Sequence, residues 1–208
     1  MCGILGFASR AGARFRPDLD AAVQRQRHRG PDDSGVWRDD WTALGFNRLA
    51  IIELSHLGHQ PMQSPDGRYV IVFNGEIYNF PELRAGLSAQ GETFAGHSDT
   101  EVLLRVFVRE GFERCLARLR GMFALAVWDR QTHTLALARD RLGVKPWSTP
   151  KPTPVLRSPR RSRRCSRSSP ICRARPITPP WITTSPFSTF RRRYRVSAPS
   201  ESCRRRTP

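Results

Sequence analysis

The sequence predicts an α+β fold, two stacked sheets flanked by helices, over residues 1–146 of its 208. Three observations carry this. Residues 122–128 and 134–138 read as a hairpin. Its first strand is apolar on both faces, Phe123, Leu125 and Val127 alternating with Ala124, Ala126 and Trp128, as expected of strands covered on both sides. Helical patterns stand at 17–27, at 80–90 and after Ser98. The composition changes abruptly near Trp147, which bounds the part that can bury a core.

Taken in order, residues 3–8 are an apolar strand leading into a loop with Arg14 and Arg16. From Pro17 to Arg27, Leu19, Ala22 and Val23 share a face and Asp18 and Asp20 sit at the start, which predicts a helix. His28 to Gly35, HRGPDDSG, is rich in turn formers, and strands are expected at 35–38 and 42–52. Ser64-Pro65-Asp66-Gly67 is a tight turn, because proline presets its second position and glycine suits its last. A β-branched strand follows from Tyr69 to Phe73 and runs into Asn74-Gly75-Glu76. Ser98-Asp99-Thr100-Glu101 fits a capping box, and Val102, Leu103, Val106 and Phe107 supply the buried stripe of the helix it opens.

Charge divides the chain in the same place. Of the formal net charge of +17, residues 147–208 carry +15, with 16 basic residues and the single acid Glu201. The same stretch holds 11 of the 17 prolines and no sustained apolar period, so it is expected to be a disordered tail. The five cysteines, Cys2, Cys115, Cys165, Cys172 and Cys203, have neither CxxC pairing nor histidines at zinc-ligand offsets. No metal site is expected, and a reducing, cytoplasmic setting fits best. The apolar stretch after Cys2 is too short for a signal peptide, and no membrane span is predicted.

Cys2 carries the chemistry. Removal of Met1 would place a thiol and a free α-amine on one residue. The two groups titrate within about one pH unit of each other, so the amine can take the thiol proton near neutral pH. With MCGILGF, RHRGPDDSG, NRLAIIELS, GHQPM, FNGEIYN, HSDTE, GMFALAVWD and RDRLGVKP in order, residues 2–146 resemble the glutaminase domain of class II glutamine amidotransferases. RHRGPD, FNGEIYN and RDRLGVKP favour the glutamine-dependent asparagine synthetase branch.

The resemblance implies a four-layer αββα sandwich of the N-terminal nucleophile hydrolase type. It also implies hydrolysis of the glutamine side-chain amide by Cys2, with the Asn74 amide and the Gly75 N–H as oxyanion donors. Glutamine binding is implied for Arg48, Leu49, Ile51, Asn74, Glu76 and Asp99, Arg48 gripping the α-carboxylate and Asp99 the α-ammonium. Each has a plainer reading: a hairpin turn for Asn74-Gly75, a surface arginine for Arg48, a helix-start charge for Asp99. His28 and Arg29 are expected to organise the loop beside Cys2, and Cys115 to be packed rather than reactive. Asn47 departs from the family, which more often has histidine or arginine there.

After RDRLGVKP the chain leaves the family pattern. The glutaminase step needs no cofactor, whereas ATP and Mg belong to the family's synthetase part, whose SGGxDS loop this sequence does not contain. WITTSPFSTF at 181–190 can be encoded so that another frame reads LDHYLTFLYV, a segment like the family's own continuation. Residues 147–208 are therefore expected to be an out-of-frame tail on a truncated synthetase. Glutamine is the expected partner, and a homodimer is compatible with the pattern. The alternatives are a glutaminase domain serving another acceptor, and a non-catalytic fragment that binds nucleic acid non-specifically through its arginines. The tail has no recognition module, so no specific nucleic acid is expected.

Overall fold

A computed structural model describes residues 2–8 and 18–148, and the backbone of 191–195. Strand β1 (Gly3–Ala8) and β2 (Asp33–Arg38) pair antiparallel with the two edges of β3 (Thr42–Arg48), giving a three-stranded sheet. The second sheet runs in the order β4 (Met62–Gln63), β5 (Tyr69–Ile77), β6 (Gly121–Asp129), β7 (Thr134–Arg139), β8 (Arg191–Arg195), all antiparallel. Helix α1 (Leu19–Arg25) covers the outer face of the first sheet, where Val23 and Leu19 lie against Gly45. Helices α2 (Phe80–Ser88) and α3 (Asp99–Arg118) cover the outer face of the second.

The layers follow from the two-sided apolar strands. Leu44 and Phe46 of the first sheet meet Val70, Val72, Ala126, Trp128, Leu135 and Leu137 of the second in one buried cluster. On the other side, Ile71, Phe73, Leu125 and Val127 pack with Leu83, Val102, Leu103 and Leu116 of the helices. Each such fully buried side chain contributes about 1.5–3 kcal/mol. Trp128 is completely buried, and its indole N–H is satisfied by donating to Asp39 Oδ2 at 2.7 Å. The expected αββα order is the observed one.

Several local expectations change. The strand expected to reach residue 52 ends at Arg48, because the next backbone donors are taken elsewhere: the Ala50 N–H goes to Asp32 Oδ2 at 2.8 Å. The strand expected to stop near Phe73 continues to Ile77, so Asn74-Gly75 lies inside β5 and is not a hairpin turn. Half of the capping box forms, with Ser98 Oγ accepting the Glu101 N–H at 3.1 Å. Glu101 itself reaches the N–H groups of Ala95 and Gly96, at 2.8 and 2.9 Å, rather than that of Ser98. Helix α3 is interrupted at Gly111, whose φ of 77° suits a residue without a Cβ.

Of the expected tail, Trp147 and Ser148 and, further on, the strand Arg191–Arg195 fall within the described residues. That strand is extended and pairs with β7, satisfying backbone groups that would otherwise stand open at a sheet edge. The remainder of that expectation, and the loop with Arg14 and Arg16, lie outside the described residues. Among the described residues no helix is long and apolar enough to cross a membrane, and no group of three or more His, Cys, Asp or Glu is placed to hold a metal ion.

Candidate active site

Cys2 precedes β1, whose register with β3 sets Gly3 opposite Asn47. The Cys2 side chain therefore arrives beside the end of β3, half-buried against the cluster between the sheets. Its sulfur lies 3.4 Å from the Leu49 nitrogen, whose N–H donates to it, and 3.6 Å from the Leu49 carbonyl oxygen. Arg29 Nη2 donates to the Cys2 carbonyl at 3.5 Å, so the HRG segment does touch the Cys2 backbone. His28 instead turns back to the Arg25 carbonyl, 3.2 Å away. Met1 lies outside the described residues.

The edge of β5 holds a feature that depends on strand parity. Tyr78 N–H donates to the Arg120 carbonyl on the β6 side, whereas the Tyr69 carbonyl accepts from Ser64 on the opposite side. Odd-numbered residues of β5 thus turn their backbone groups away from β6. On that side β4 pairs only with Val70 and Ile71. Beyond it, side chains take over: Gln60 Oε1 accepts the Phe73 N–H at 2.7 Å, and Asp99 Oδ2 accepts the Ile77 N–H at 3.1 Å. The Gly75 N–H between them points to the same edge and has no partner among the described residues.

Glycine is required at 75 for a second reason. A Cβ there would stand 2.2 Å from the Met122 carbonyl oxygen and 2.7 Å from Phe123 Cα. Asn74 is 5% exposed, and among the described residues its side-chain amide makes no hydrogen bond. Two donors on neighbouring residues are thus left unspent.

Asp99 is the first residue of α3 and is buried. Burial raises its carboxyl from the ordinary range to about 6, against the lowering effect of the Ile77 and Thr100 N–H groups, and the nearby Glu76 charge adds to the rise. Glu76 is itself exposed on β5. Thr100 Oγ1 lies 3.5 Å from Asp99 Oδ1 and accepts from Gln60 Nε2 at 3.2 Å. No cation is paired with Asp99 among the described residues. A buried carboxylate in that condition suits an ammonium ligand.

Arg48 is buried, not a surface arginine. Its Nη1 donates to the Ser55 carbonyl at 2.8 Å and its Nη2 to the Glu53 carbonyl, so two of its five N–H groups hold the loop of residues 49–58. Gly58 leaves the room, since a Cβ there would fall 2.1 Å from Nη2. The Glu53 carboxylate sews this loop to the next one: it accepts the His97 N–H at 2.8 Å and the Ser55 N–H and hydroxyl at 2.9 and 2.7 Å. Those bonds, His97 first, hold Glu53 at about 2. Ile51, expected to contact glutamine, is 72% exposed on this loop.

The structure therefore brings Cys2 and Leu49 together, sets the Gly75 N–H, next to Asn74, on one strand edge with Asp99, and buries Arg48 within the loop that follows it. Sequence reasoning gave no role to Gln60, Glu53 or Thr100. GHQPM was visible as a block, but nothing in it shows that Gln60 bridges positions 13 and 40 residues away.

Comparisons with known proteins come from the same region. The profile of the family described as Glutamine amidotransferase domain matches residues 1–154. A Mycobacterium tuberculosis protein named as an asparagine synthetase (glutamine-hydrolyzing) is 48% identical over 164 residues, covering 70% of this chain and 25% of that protein. Asparagine synthetase (glutamine-hydrolyzing) 1 of Bacillus subtilis is 42% identical over 150 residues, covering 70% of this chain and 23% of its own length. The chain thus spans about a quarter of the length of these relatives. Among solved structures, the B. subtilis glutamine phosphoribosylpyrophosphate amidotransferase aligns with a TM-score of 0.57 and 21% identity, covering 70% of this chain and 38% of that one. That likeness is one of fold.

Proposed function

The chain belongs to the glutamine amidotransferase domain family, and from that premise we propose that Cys2, freed by removal of Met1, hydrolyses glutamine to glutamate and ammonia. The open Gly75 N–H, flanked by two donors that are already capped, is the observation that carries the assignment of the site. In this reading the Cys2 sulfur attacks the side-chain amide carbon while its own α-amine takes the thiol proton. The oxygen, gaining negative charge, is received by the Gly75 N–H and the Asn74 amide. The amine returns the proton to the departing nitrogen, ammonia leaves, and water cleaves the thioester to glutamate. Donors fixed in advance need no rearrangement as the charge develops.

Asp99, with Glu76 beside it, receives the α-ammonium. Arg48, Leu49 and Ile51 frame the carboxylate end, Arg48 using donors not committed to Glu53 and Ser55. The ammonia serves ATP-dependent conversion of aspartate to asparagine in a synthetase part outside this chain, and ATP and Mg belong to that part. Residues 1–146 form the catalytic domain in this reading, in the cytoplasm. Residues 147–208 are an out-of-frame tail with no specific nucleic-acid partner. An uninterrupted reading frame across codon 147 in independent DNA reads would remove the tail assignment.

The test of the activity is glutamate and ammonia release by the purified chain, with Cys2→Ala alongside. Release that depends on Cys2 supports the proposal. Release by Cys2→Ala at the wild-type rate overturns it, and so does an intact mass that retains Met1 in an active preparation.

A further inference from the structure

Gln60 is 4% exposed, uncharged and outside the set of residues placed against glutamine above. Both ends of its amide are nevertheless spent on that set's supports. Its oxygen accepts the Phe73 N–H at 2.7 Å, one residue before Asn74. Its nitrogen donates to Thr100 Oγ1 at 3.2 Å, one residue after Asp99. The Thr100 hydroxyl, having accepted from Gln60, is left to donate toward Asp99 Oδ1 at 3.5 Å. One side chain thus ties the β5 edge to the first turn of α3, on which Asp99 stands.

We propose that Gln60 is a positioning residue for glutamine hydrolysis: it caps the Phe73 N–H, so that Gly75 presents the open donor of that edge, and it orients the Thr100 hydroxyl toward the Asp99 carboxylate. The inference rests on the glutaminase reading and adds to it a residue that touches neither the sulfur nor the glutamine. A neutral amide is the side chain this place needs. It offers an acceptor to an N–H and a donor to a hydroxyl at once, which a carboxylate cannot do. The groups that face Asp99 are Glu76 from β5, the Ile77 and Thr100 N–H groups and the Thr100 hydroxyl, while Glu101 on the same helix is turned to the Ala95 and Gly96 N–H groups. A negative charge at position 60 would join Glu76 in opposing ionisation of Asp99.

Three variants of the full chain, Gln60→Glu, Gln60→Leu and Thr100→Val, are assayed for glutamate release from pH 5 to 9. In Gln60→Glu the Phe73 N–H keeps its acceptor, while the Thr100 hydroxyl swings to the new carboxylate and away from Asp99. The acid limb of kcat/KM is expected to move upward by about 1 pH unit, as a like charge does to its neighbour. Thr100→Val removes the hydroxyl that joins Gln60 to Asp99 and leaves the Gln60 cap on the Phe73 N–H in place, so KM should rise several-fold with kcat held within about twofold, a loss confined to ground-state binding. Gln60→Leu should lower kcat as well as raise KM, and if it fails to fold, the other two decide. A Gln60→Glu profile scaled down equally at every pH, its limb unmoved, overturns the inference. So does a Thr100→Val enzyme with unchanged KM. An inactive wild type would remove the glutaminase reading and this inference together, whereas an active wild type with unresponsive variants removes the inference alone.

Discussion

The Asp99 carboxylate accepts the Ile77 N–H at 3.1 Å, so the residue proposed to hold one end of the substrate also closes the strand edge on which Gly75, two residues earlier, stays open. Binding and catalysis thereby share one strand of the scaffold. The geometry also carries a cost, because Asp99 is buried without a counter-cation among the described residues and its carboxyl is raised to about 6.

That cost sets the stability of Asp99→Asn. A carboxyl raised in the folded state favours folding most below its unfolded value, near 3.8, and loses that contribution as pH rises through about 6. Removing the charge should therefore stabilise the fold at pH 8 by on the order of 1–2 kcal/mol, less than the full two-unit shift implies because the helix N-terminus loses a favourable charge. The gain should vanish near pH 4. Denaturant midpoints of wild type and Asp99→Asn at pH 4, 6 and 8 measure it, and a variant less stable than wild type at pH 8 would return Asp99 to the role of a helix-start charge.

The same group governs activity against pH. Glutamine brings an ammonium that needs Asp99 ionised, so kcat/KM should fall below about pH 6 in the free enzyme. Asp99→Asn should lose about 10–100-fold in kcat/KM, the worth of a charged hydrogen bond, and should lose the acid limb too. Glutaramic acid, which lacks the α-amine, should be hydrolysed slowly and without that limb. An acid limb of equal position for both substrates would separate Asp99 from the ammonium.

Asn74→Ala and Gly75→Ala should part company. The first deletes a donor that makes no hydrogen bond among the described residues, so folding should be unaffected while kcat falls about 10²–10³-fold. The second drives a methyl group to 2.2 Å from the Met122 carbonyl, which separates β5 from β6. Thermal melts should place Gly75→Ala far below wild type and Asn74→Ala beside it. Equal melting and equal loss of rate in both would contradict the close approach at residue 75.

How much of this was legible in the sequence depends on the range of the interactions. The strand β6 showed itself because each of Phe123 to Trp128 reports the layer it faces, and α3 began where Ser98 and Glu101 said it would. The run Leu49 to Ile52 read as strand because it is apolar, yet Arg48 bonds back to Glu53 and Ser55 and the Ala50 N–H is held by Asp32. Apolar periodicity carries no trace of such bonds. Gln60 stayed silent for the same reason, its partners lying on β5 and α3. The Asn74-Gly75 pair was ambiguous in isolation, and the paired register of β5 with β6 removed the turn.

Glu53→Gln should loosen the binding loop without unfolding the domain. Glu53 is held near 2 by the His97 N–H first and then by Ser55, so its carboxylate contribution is present above the ordinary value of 4.5 and is lost only as pH falls toward 2. The amide variant imitates that acid state at neutral pH: one oxygen becomes a donor and cannot accept from either His97 or Ser55. Hydrogen exchange at the Ser55 and His97 amides should quicken, while amides of β5 and β6 keep their protection. Arg48 is held by carbonyls of the same loop, so KM for glutamine should rise with kcat little changed. Unchanged exchange at His97 would show that the two loops are joined by something other than this carboxylate.

A glutamine-mimicking electrophile should mark Cys2 and spare Cys115, and the reason is burial rather than distance. The Cys115 thiol is 1% exposed and is pushed up to about 12 by its apolar surroundings, so in the folded protein it is neither reachable nor ionised. Cys2 is half-exposed beside Leu49, with no such wall around it. Peptide mapping by mass spectrometry after treatment at pH 7.5 should find the adduct on the peptide that begins with Cys2, and excess glutamine should slow its appearance. The Cys115 peptide should react only after denaturant is added. A native-state adduct at Cys115, or labelling of Cys2 that glutamine does not slow, would place the reactive sulfur outside the glutamine site and leave the strand edge at Gly75 without a nucleophile to serve.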